Sequence, residues 1–269
     1  MDRPDWAPEG IDIERPSAAR IYDYWLGGTH NFAIDREVAR QMIAAAPETP
    51  LIMQANRAFL HRAVRFLVDE GVRQFLDIGS GIPTLGNVHE VAQKTAPEAR
   101  VAYVDIDPVA VAHSRHILAD AEHTVVIQED LRQPEQILNH PDVRNLFDFG
   151  EPVGLLLLAV VHFLPDSDDA VGVIGRLRDA LPPGSYLALS HATGDGLSPE
   201  AAQRWADLSR RTPTPATPRT RAEVQRLFAG FDLVDPGLVW SPQWRPEHPD
   251  EVGDHPERSA AHVGVGRKS

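Results

Sequence analysis

Phe75-Leu76-Asp77-Ile78-Gly79-Ser80-Gly81-Ile82-Pro83-Thr84 is the stretch that decides how the chain reads. A short β-forming run meets two glycines one residue apart, and a Pro follows that suits the first turn of a helix. The segment reads as strand, tight turn, helix. Gly79 and Gly81 lack Cβ, so the turn can bend freely and a ligand can approach its backbone. A helix opening there presents free N–H groups. This is the ligand-binding edge of a doubly wound sheet.

Outward from this turn, short β-rich runs alternate with helical stretches. The runs cover 74–79, 100–106, 124–130, 153–161, 185–191, 231–234 and 263–266. The helical stretches cover about 85–95, 108–121, 134–139, 166–181 and 221–228. Such alternation predicts an α/β fold with a mostly parallel sheet and helices on both faces. The run from Val153 to Val161 is apolar throughout, as suits a central strand buried on both faces.

Upstream of residue 71 the texture is helical. One helix follows Ser17, its expected cap, and ends at Gly27-Gly28. A second runs from Asp35 to about Ala46. A third starts near Pro50 and carries Ile52, Ala55, Phe59, Leu60, Ala63, Val64 and Leu67 at helical spacing until Gly71. The expected organisation is a helical cover over residues 1–70 and a sheet domain over 71–269. The stretches 210–221 and 241–259 are rich in Pro and read as long surface loops, either mobile lids or ordered covers.

Composition removes several functions. The chain has 269 residues and no Cys, which excludes disulfide scaffolds, Cys nucleophiles and thiolate metal sites. Lys and Arg total 26 against 39 Asp and Glu, a formal charge of −13, which argues against general nucleic-acid binding. No apolar run approaches the ~20 residues of a membrane helix, and Met1 to Gly10 lacks the apolar stretch of a secretory signal. A cytoplasmic location follows as the expectation, with no membrane or nucleic-acid partner. His113 and His116 share a helix face without a third ligand, so no metal site is expected.

The chemistry concentrates at three strand ends. The dinucleotide pattern G-x-G-x-x-G breaks at Thr84. Asp77, two residues before Gly79, suits a cationic ligand better than a pyrophosphate. S-adenosylmethionine carries an ammonium and a sulfonium, and Asp77 is placed to attract the ammonium. Asp105 ends the second run and is a candidate acceptor for ribose hydroxyls, a device nicotinamide enzymes share. Asp130 ends the third run, either as acceptor for the adenine amino group or as a plain strand end, with Ile106 and Leu131 on the two ring faces. Asp107 reads as the cap of the helix at Pro108, and Asp166 to Asp169 as caps of the helix that follows. His162, just past the fourth run, is the candidate base or acceptor contact, with His191 second.

Together these sites resemble the class I S-adenosylmethionine-dependent methyltransferases. The flanks narrow the resemblance. Ser17 to Gly28, Asn31-Phe32, Asp35-Arg36, Asn56 to Leu60, His162-Phe163, Gly184 to Leu187, Ser190-His191 and Gly264 to Lys268 resemble an actinobacterial methyltransferase-like family formerly labelled a domain of unknown function. The resemblance spans almost the whole chain. It implies a Rossmann-like class I methyltransferase fold with seven strands, the last antiparallel, and S-adenosylmethionine as cofactor. The cofactor-binding residues it implies are Asp77, Gly79, Ser80, Gly81, Asp105, Ile106, Asp130 and Leu131, with Tyr22 in a lid. Pro83 stands where the wider class has a third Gly and has no N–H to donate. The methionine carboxylate is then expected to use Arg57 or Arg20, with Tyr22 and Asn31 as neutral donors. Phe32, Trp25 and the Pro-rich loops are candidates for an apolar acceptor pocket. The expected function is methyl transfer to an unidentified small-molecule acceptor. A non-catalytic binder of the same cofactor and a nicotinamide-dependent oxidoreductase are the alternatives, and the oligomeric state is open.

Overall fold

A computed structural model describes residues 12–83, 86–196, 200, 203, 207, 209–210 and 214–269. Met1 to Gly10, Thr84, Leu85 and part of the 210–221 stretch lie outside the described residues. The strands are β1 (Gln74–Ile78), β2 (Arg100–Asp105), β3 (Thr124–Gln128), β4 (Val153–Leu158), β5 (Tyr186–Ala192), β6 (Asp232–Leu233), β7 (Val239–Trp240) and β8 (Ala261–Arg267). They form one sheet in the order β3-β2-β1-β4-β5-β8-β6, with β7 also on β8. β1 to β5 are parallel, and β8 runs antiparallel to β5, β6 and β7.

The mostly parallel sheet with an antiparallel C-terminal strand is as expected, but it has eight strands, not seven. The additional one is β7. Two residues carry no visible alternation, and only their pairing with β8 makes them a strand. β4 is buried at every position yet stops at Leu158. There Ala159 turns the chain at φ 54, and Val161–Phe163 form a single 3₁₀ turn.

Two cores flank the sheet. One lies under α6 (Pro134–Asn139), α7 (Pro141–Leu146), α8 (Ala170–Ala180) and α9 (Arg221–Leu227). The other lies under α3 (Thr49–Asp69) and α4 (Val88–Gln93) and includes Trp244. α3 shares that core with the strands: Phe59, Ala63, Val64 and Leu67 pack in one cluster with Phe75, Leu156 and Tyr186.

α1 (Ala18–Trp25) and α2 (Ala33–Ala45) pack on each other at the front. Arg20 Nε and Asp35 Oδ2 form a wholly buried ion pair at 2.7 Å. Asp35 also accepts from the Ser17 and Phe32 backbone N–H groups. The Ser17 hydroxyl makes no cap bond; it donates to Asp107 Oδ2 at 2.7 Å, tying the front helices to the start of α5 (Pro108–Ile117). Asp107 and Asp169 cap α5 and α8, as read.

The 241–259 stretch is anchored, not loose. Trp244 is wholly buried and meets Phe59 edge-on at 5.3 Å. Arg62, from α3, donates to the Trp244 and Ser241 carbonyls at 2.7 and 2.8 Å. Composition hides this because one Trp and one Arg fix a segment whose other residues suit a loop. Among the described residues no helix is long and apolar enough to cross a membrane.

Candidate functional site

The site forms at the C-terminal ends of β1, β2 and β4. Asp77 is the fourth residue of β1 and is buried. Burial pushes its pKa up to about 7, opposed by the nearby Arg57 guanidinium and reinforced by Asp105. Among the described residues no hydrogen bond offsets that burial. Arg57 projects from α3, and its Nε is buried without a partner among the described residues. A buried carboxylate and a buried guanidinium nitrogen, both unfinished, are rare in a completed core. An ammonium and a carboxylate are the groups that would complete them.

Tyr22 reaches the same region from α1. Its hydroxyl accepts from Asn56 Nδ2 at 3.0 Å, and Asn56 Oδ1 accepts from Ser190 Oγ at 2.6 Å. Asn56 therefore ties the front helix, α3 and β5 together. Its location one residue before Arg57 was part of the sequence match, but its bridging role was not legible.

Two expected carboxylate ligands are turned elsewhere. Arg20 is consumed by Asp35 and by the carbonyls of Asp12 and Arg15. Asn31 donates to Asp23 and Gly28 and accepts from Arg36. Both build the front helices. Phe32 likewise is buried, with the Arg20 guanidinium 4.9 Å from its ring centre.

The glycine turn also differs from expectation. A Cβ on Gly79 would lie 2.3 Å from Val160 Cγ2, so the space belongs to the protein. At Gly81 no described residue lies within 4 Å of an added Cβ. The N–H groups are occupied: Gly79 and Ser80 donate to the Val104 carbonyl, and Gly81 donates to Asp105 Oδ2 at 2.8 Å. The following helix, α4, begins only at Val88. The turn therefore offers no helix N-terminus; what it offers is an open face at Gly81 and a positioned Asp105.

Asp105 Oδ1 accepts from Asp107 N at 2.9 Å, so both oxygens are fixed, each with a further lone pair. Beside it Ile106 is 52% exposed, among the few large exposed apolar side chains, while Leu131 is buried. An exposed Ile at a strand end suits the face of a flat ring. Asp130 is engaged by Arg132, whose Nε lies 2.8 Å from its Oδ2. That pair leaves the carboxylate only partly available.

His162 lies in an internal cluster. Burial, with His191 and Arg219 nearby, lowers its pKa to about 3. Its Nδ1 accepts from Ala192 N at 3.5 Å, so the proton sits on Nε2. His191 Nδ1 donates to the Ala192 carbonyl at 2.7 Å, and its Nε2 accepts from Arg219 at 3.0 Å. Arg219 also donates to the Leu164 carbonyl and Asp166. Sequence reasoning missed Arg219 because it sits in the Pro- and Thr-rich stretch. Its one signal was that residues 210–221 hold four Arg and no acid.

The S-adenosyl methyltransferase family matches the chain over residues 4–269. The chain belongs to the S-adenosyl methyltransferase family. This methyltransferase-family chain is similar to two solved structures over nearly its whole length. A methyltransferase candidate from Thermobifida fusca YX is 42% identical, with a TM-score of 0.92, covering 99% of this chain and 100% of that one. A DUF574 family protein from Streptomyces avermitilis MA-4680 is 41% identical, with a TM-score of 0.90, covering 96% and 99%. The pyocyanin biosynthetic protein PhzM shares the fold at 18% identity and a TM-score of 0.51, covering 87% of this chain and 61% of that one. No curated protein matches the sequence. The family's cofactor is S-adenosylmethionine, and the unfinished Asp77–Arg57 pair, the open face at Gly81 and the exposed Ile106 fit it. Asp77, Gly81 and Ile106 lie at one edge of the sheet, with Arg57 near Asp77 from α3.

Proposed function

We propose that the protein is an S-adenosylmethionine-dependent methyltransferase acting on a small-molecule acceptor. The observation that carries this reading is buried Asp77 beside Arg57: among the described residues Asp77 has no hydrogen bond and the Arg57 Nε has no partner. An amino-acid group satisfies both at once: its ammonium at Asp77 and its carboxylate at Arg57. A nicotinamide dinucleotide offers no such zwitterion.

In this reading Tyr22, pinned by Asn56, closes the front of the cradle. Asp105 receives the ribose hydroxyls, and Ile106 and Leu131 flank the adenine. Asp130 turns toward the adenine amino group with Arg132 as its counter-charge. Gly81 and Ser80 form the floor, and Gly79 makes the turn possible. S-adenosylmethionine supplies, when bound, a methyl group on a positively charged sulfur. The protein's remaining task is to align an acceptor with it and exclude water.

Of the two roles read for His162, the acceptor contact is the better supported. A ring whose pKa lies near 3 is a weak proton acceptor at neutral pH. With its proton on Nε2 it is a hydrogen-bond donor to an acceptor's oxygen or nitrogen.

Calorimetric titration with S-adenosylhomocysteine and with NAD tests the reading. Binding of S-adenosylhomocysteine, weakened about 10- to 100-fold in Arg57→Ala, is expected from the loss of a charged hydrogen bond. Tight NAD binding without S-adenosylhomocysteine binding would overturn it.

A further inference from the structure

A cavity of about 310 Å³ opens at the far end of the same sheet edge, between β7, β8 and the segment after β5. Its polar walls are Asp195, Arg221, Gln243 and His262, and its flat wall is Trp240. Trp240 pairs with His262 across β7 and β8, and His262 pairs with His191 across β8 and β5. Residues directly opposite on antiparallel strands share a face. The cavity therefore lies on the face that carries His191 and begins one strand beyond it.

The lining is chemically specific. The His262 ring stacks on Trp240, with centroids 4.2 Å apart and planes at 28°. His262 Nε2 lies 2.9 Å from Asp195 Oδ2, which also accepts from Arg221 N at 2.7 Å. Burial tends to raise the Asp195 pKa, but the His262 and Arg221 hydrogen bonds hold it below the ordinary value, so the carboxylate is charged. Burial lowers the His262 pKa against the pull of Asp195 and keeps the ring neutral. The proton then lies on Nε2, facing Asp195, and Nδ1 holds a lone pair. His262 is 2% exposed, and among the described residues its Nδ1 has no partner. Gln243 Oε1 accepts from Trp240 N at 3.2 Å, which leaves the Gln243 amide N–H groups as donors. An unfinished polar set around a cavity is the mark of a ligand site rather than of packing.

We infer that this cavity receives the methyl acceptor, and that the acceptor is a small, flat, uncharged heteroaromatic compound carrying both a hydrogen-bond donor and an acceptor. The inference rests on the methyltransferase reading above. Trp240 supplies the flat wall, Asp195 takes the donor, and Gln243 or Arg221 serves the acceptor. The Asp195 carboxylate is already met by His262 and the Arg221 backbone N–H, and the Arg221 guanidinium donates to the Leu238 carbonyl. Neither charge is left without a partner, so the lining favours a neutral ring over an ion. The volume sits at the small end of ligand pockets and limits the occupant to one or two rings.

The test uses the whole protein saturated with S-adenosylhomocysteine and three probes followed by ligand-observed NMR. Benzimidazole is flat and neutral with a donor and an acceptor, benzoate is flat and anionic, and cyclohexylamine is cationic and not flat. Benzimidazole is expected to bind, and to bind at least tenfold more weakly to Asp195→Asn and Trp240→Leu. The affinity for S-adenosylhomocysteine should change less than twofold in either variant. Benzoate and cyclohexylamine are expected not to bind at the same concentration. Absence of benzimidazole binding, equal binding in Asp195→Asn, or equal binding of benzoate would overturn the ligand class. Asp195→Asn is nearly isosteric, so it decides alone if Trp240→Leu fails to fold. An acceptor pocket is also coupled to the cofactor: benzimidazole affinity should differ at least threefold between cofactor-free and saturated protein, and identical values would overturn the acceptor role. Wild-type protein that fails to bind S-adenosylhomocysteine but binds benzimidazole through Asp195 would overturn the methyltransferase reading and support the pocket's ligand class.

Discussion

At the scale of single residues, Asp77 is held in a place that costs stability. Its pKa is raised from 3.8 to about 7, with burial the main cause. An acid raised in this way costs nothing below its unfolded value near pH 4 and exerts its full penalty above pH 7. At about 1.4 kcal/mol per unit, the penalty reaches at most ~4 kcal/mol at pH 8. Asp77→Asn is therefore expected to stabilise the ligand-free protein at pH 8, with the gain vanishing near pH 4, as read by urea unfolding. The same variant should bind S-adenosylhomocysteine about 10- to 100-fold more weakly, since a charged hydrogen bond is lost. Stability gained where function is lost is the usual signature of a binding residue. Asp77 must also ionise to meet an ammonium. In wild-type protein, affinity should therefore fall about tenfold per pH unit below pH 7, with proton release on binding. Calorimetry in buffers of different ionisation heat measures this, and Asp77→Asn should abolish the release.

At the scale of elements, the turn after β1 separates two glycines that look alike in sequence. Gly79 sits at φ 76 with Val160 in the way of a Cβ, and Gly81 at φ 63 with open space. Gly79→Ala should destabilise by well over the ~1–2 kcal/mol of a left-handed residue, because the clash adds to it. Gly81→Ala should cost only that strain in stability, and its effect should fall on cofactor affinity. Urea unfolding and calorimetry on both variants distinguish the two. Such distinctions were not legible in the sequence, because Val160 reaches Gly79 from the turn after β4. What was legible depended on repetition. β1 to β3 announced themselves through β-rich runs with Asp77, Asp105 and Asp130 at their ends, and β4 through its unbroken apolar run. β7 did not, since Val239–Trp240 becomes a strand only through β8. For the same reason the sequence of 241–259 leaves a mobile lid and an ordered cover both open: Trp244 and Arg62 lie 182 residues apart in the chain.

At the scale of the whole molecule, the front helices depend on one buried charge pair. Removing one partner of such a pair leaves an uncompensated charge, so Arg20→Ala should cost about 3–5 kcal/mol. It should act through stability, because Arg20 is turned into the front helices, while Arg57→Ala should act on binding. Thermal unfolding of the two variants side by side checks this contrast. Three buried histidines also make the molecule sensitive to acid. Burial lowers the pKa of His162 to about 3 and those of His191 and His113 to about 4. A base lowered on folding gives stability that is complete above its unfolded value near pH 6.5 and is lost as the pH falls. The unfolded chain then takes up as many as three protons that the folded chain refuses, and Asp77 opposes this by one. Urea midpoints should drop steeply between pH 6.5 and 4.5; a flat profile would contradict the buried neutral histidines. Net charge, so prominent in the composition, decides none of this. The individual buried groups do.

A crystal structure of the protein with S-adenosylhomocysteine tests the central claim most directly. The account predicts the ligand's ammonium within hydrogen-bond distance of Asp77, its carboxylate at Arg57, its ribose hydroxyls on Asp105 and its adenine against Ile106. An amino-acid group turned away from the Asp77–Arg57 cradle, or a ligand bound elsewhere on the molecule, would contradict it.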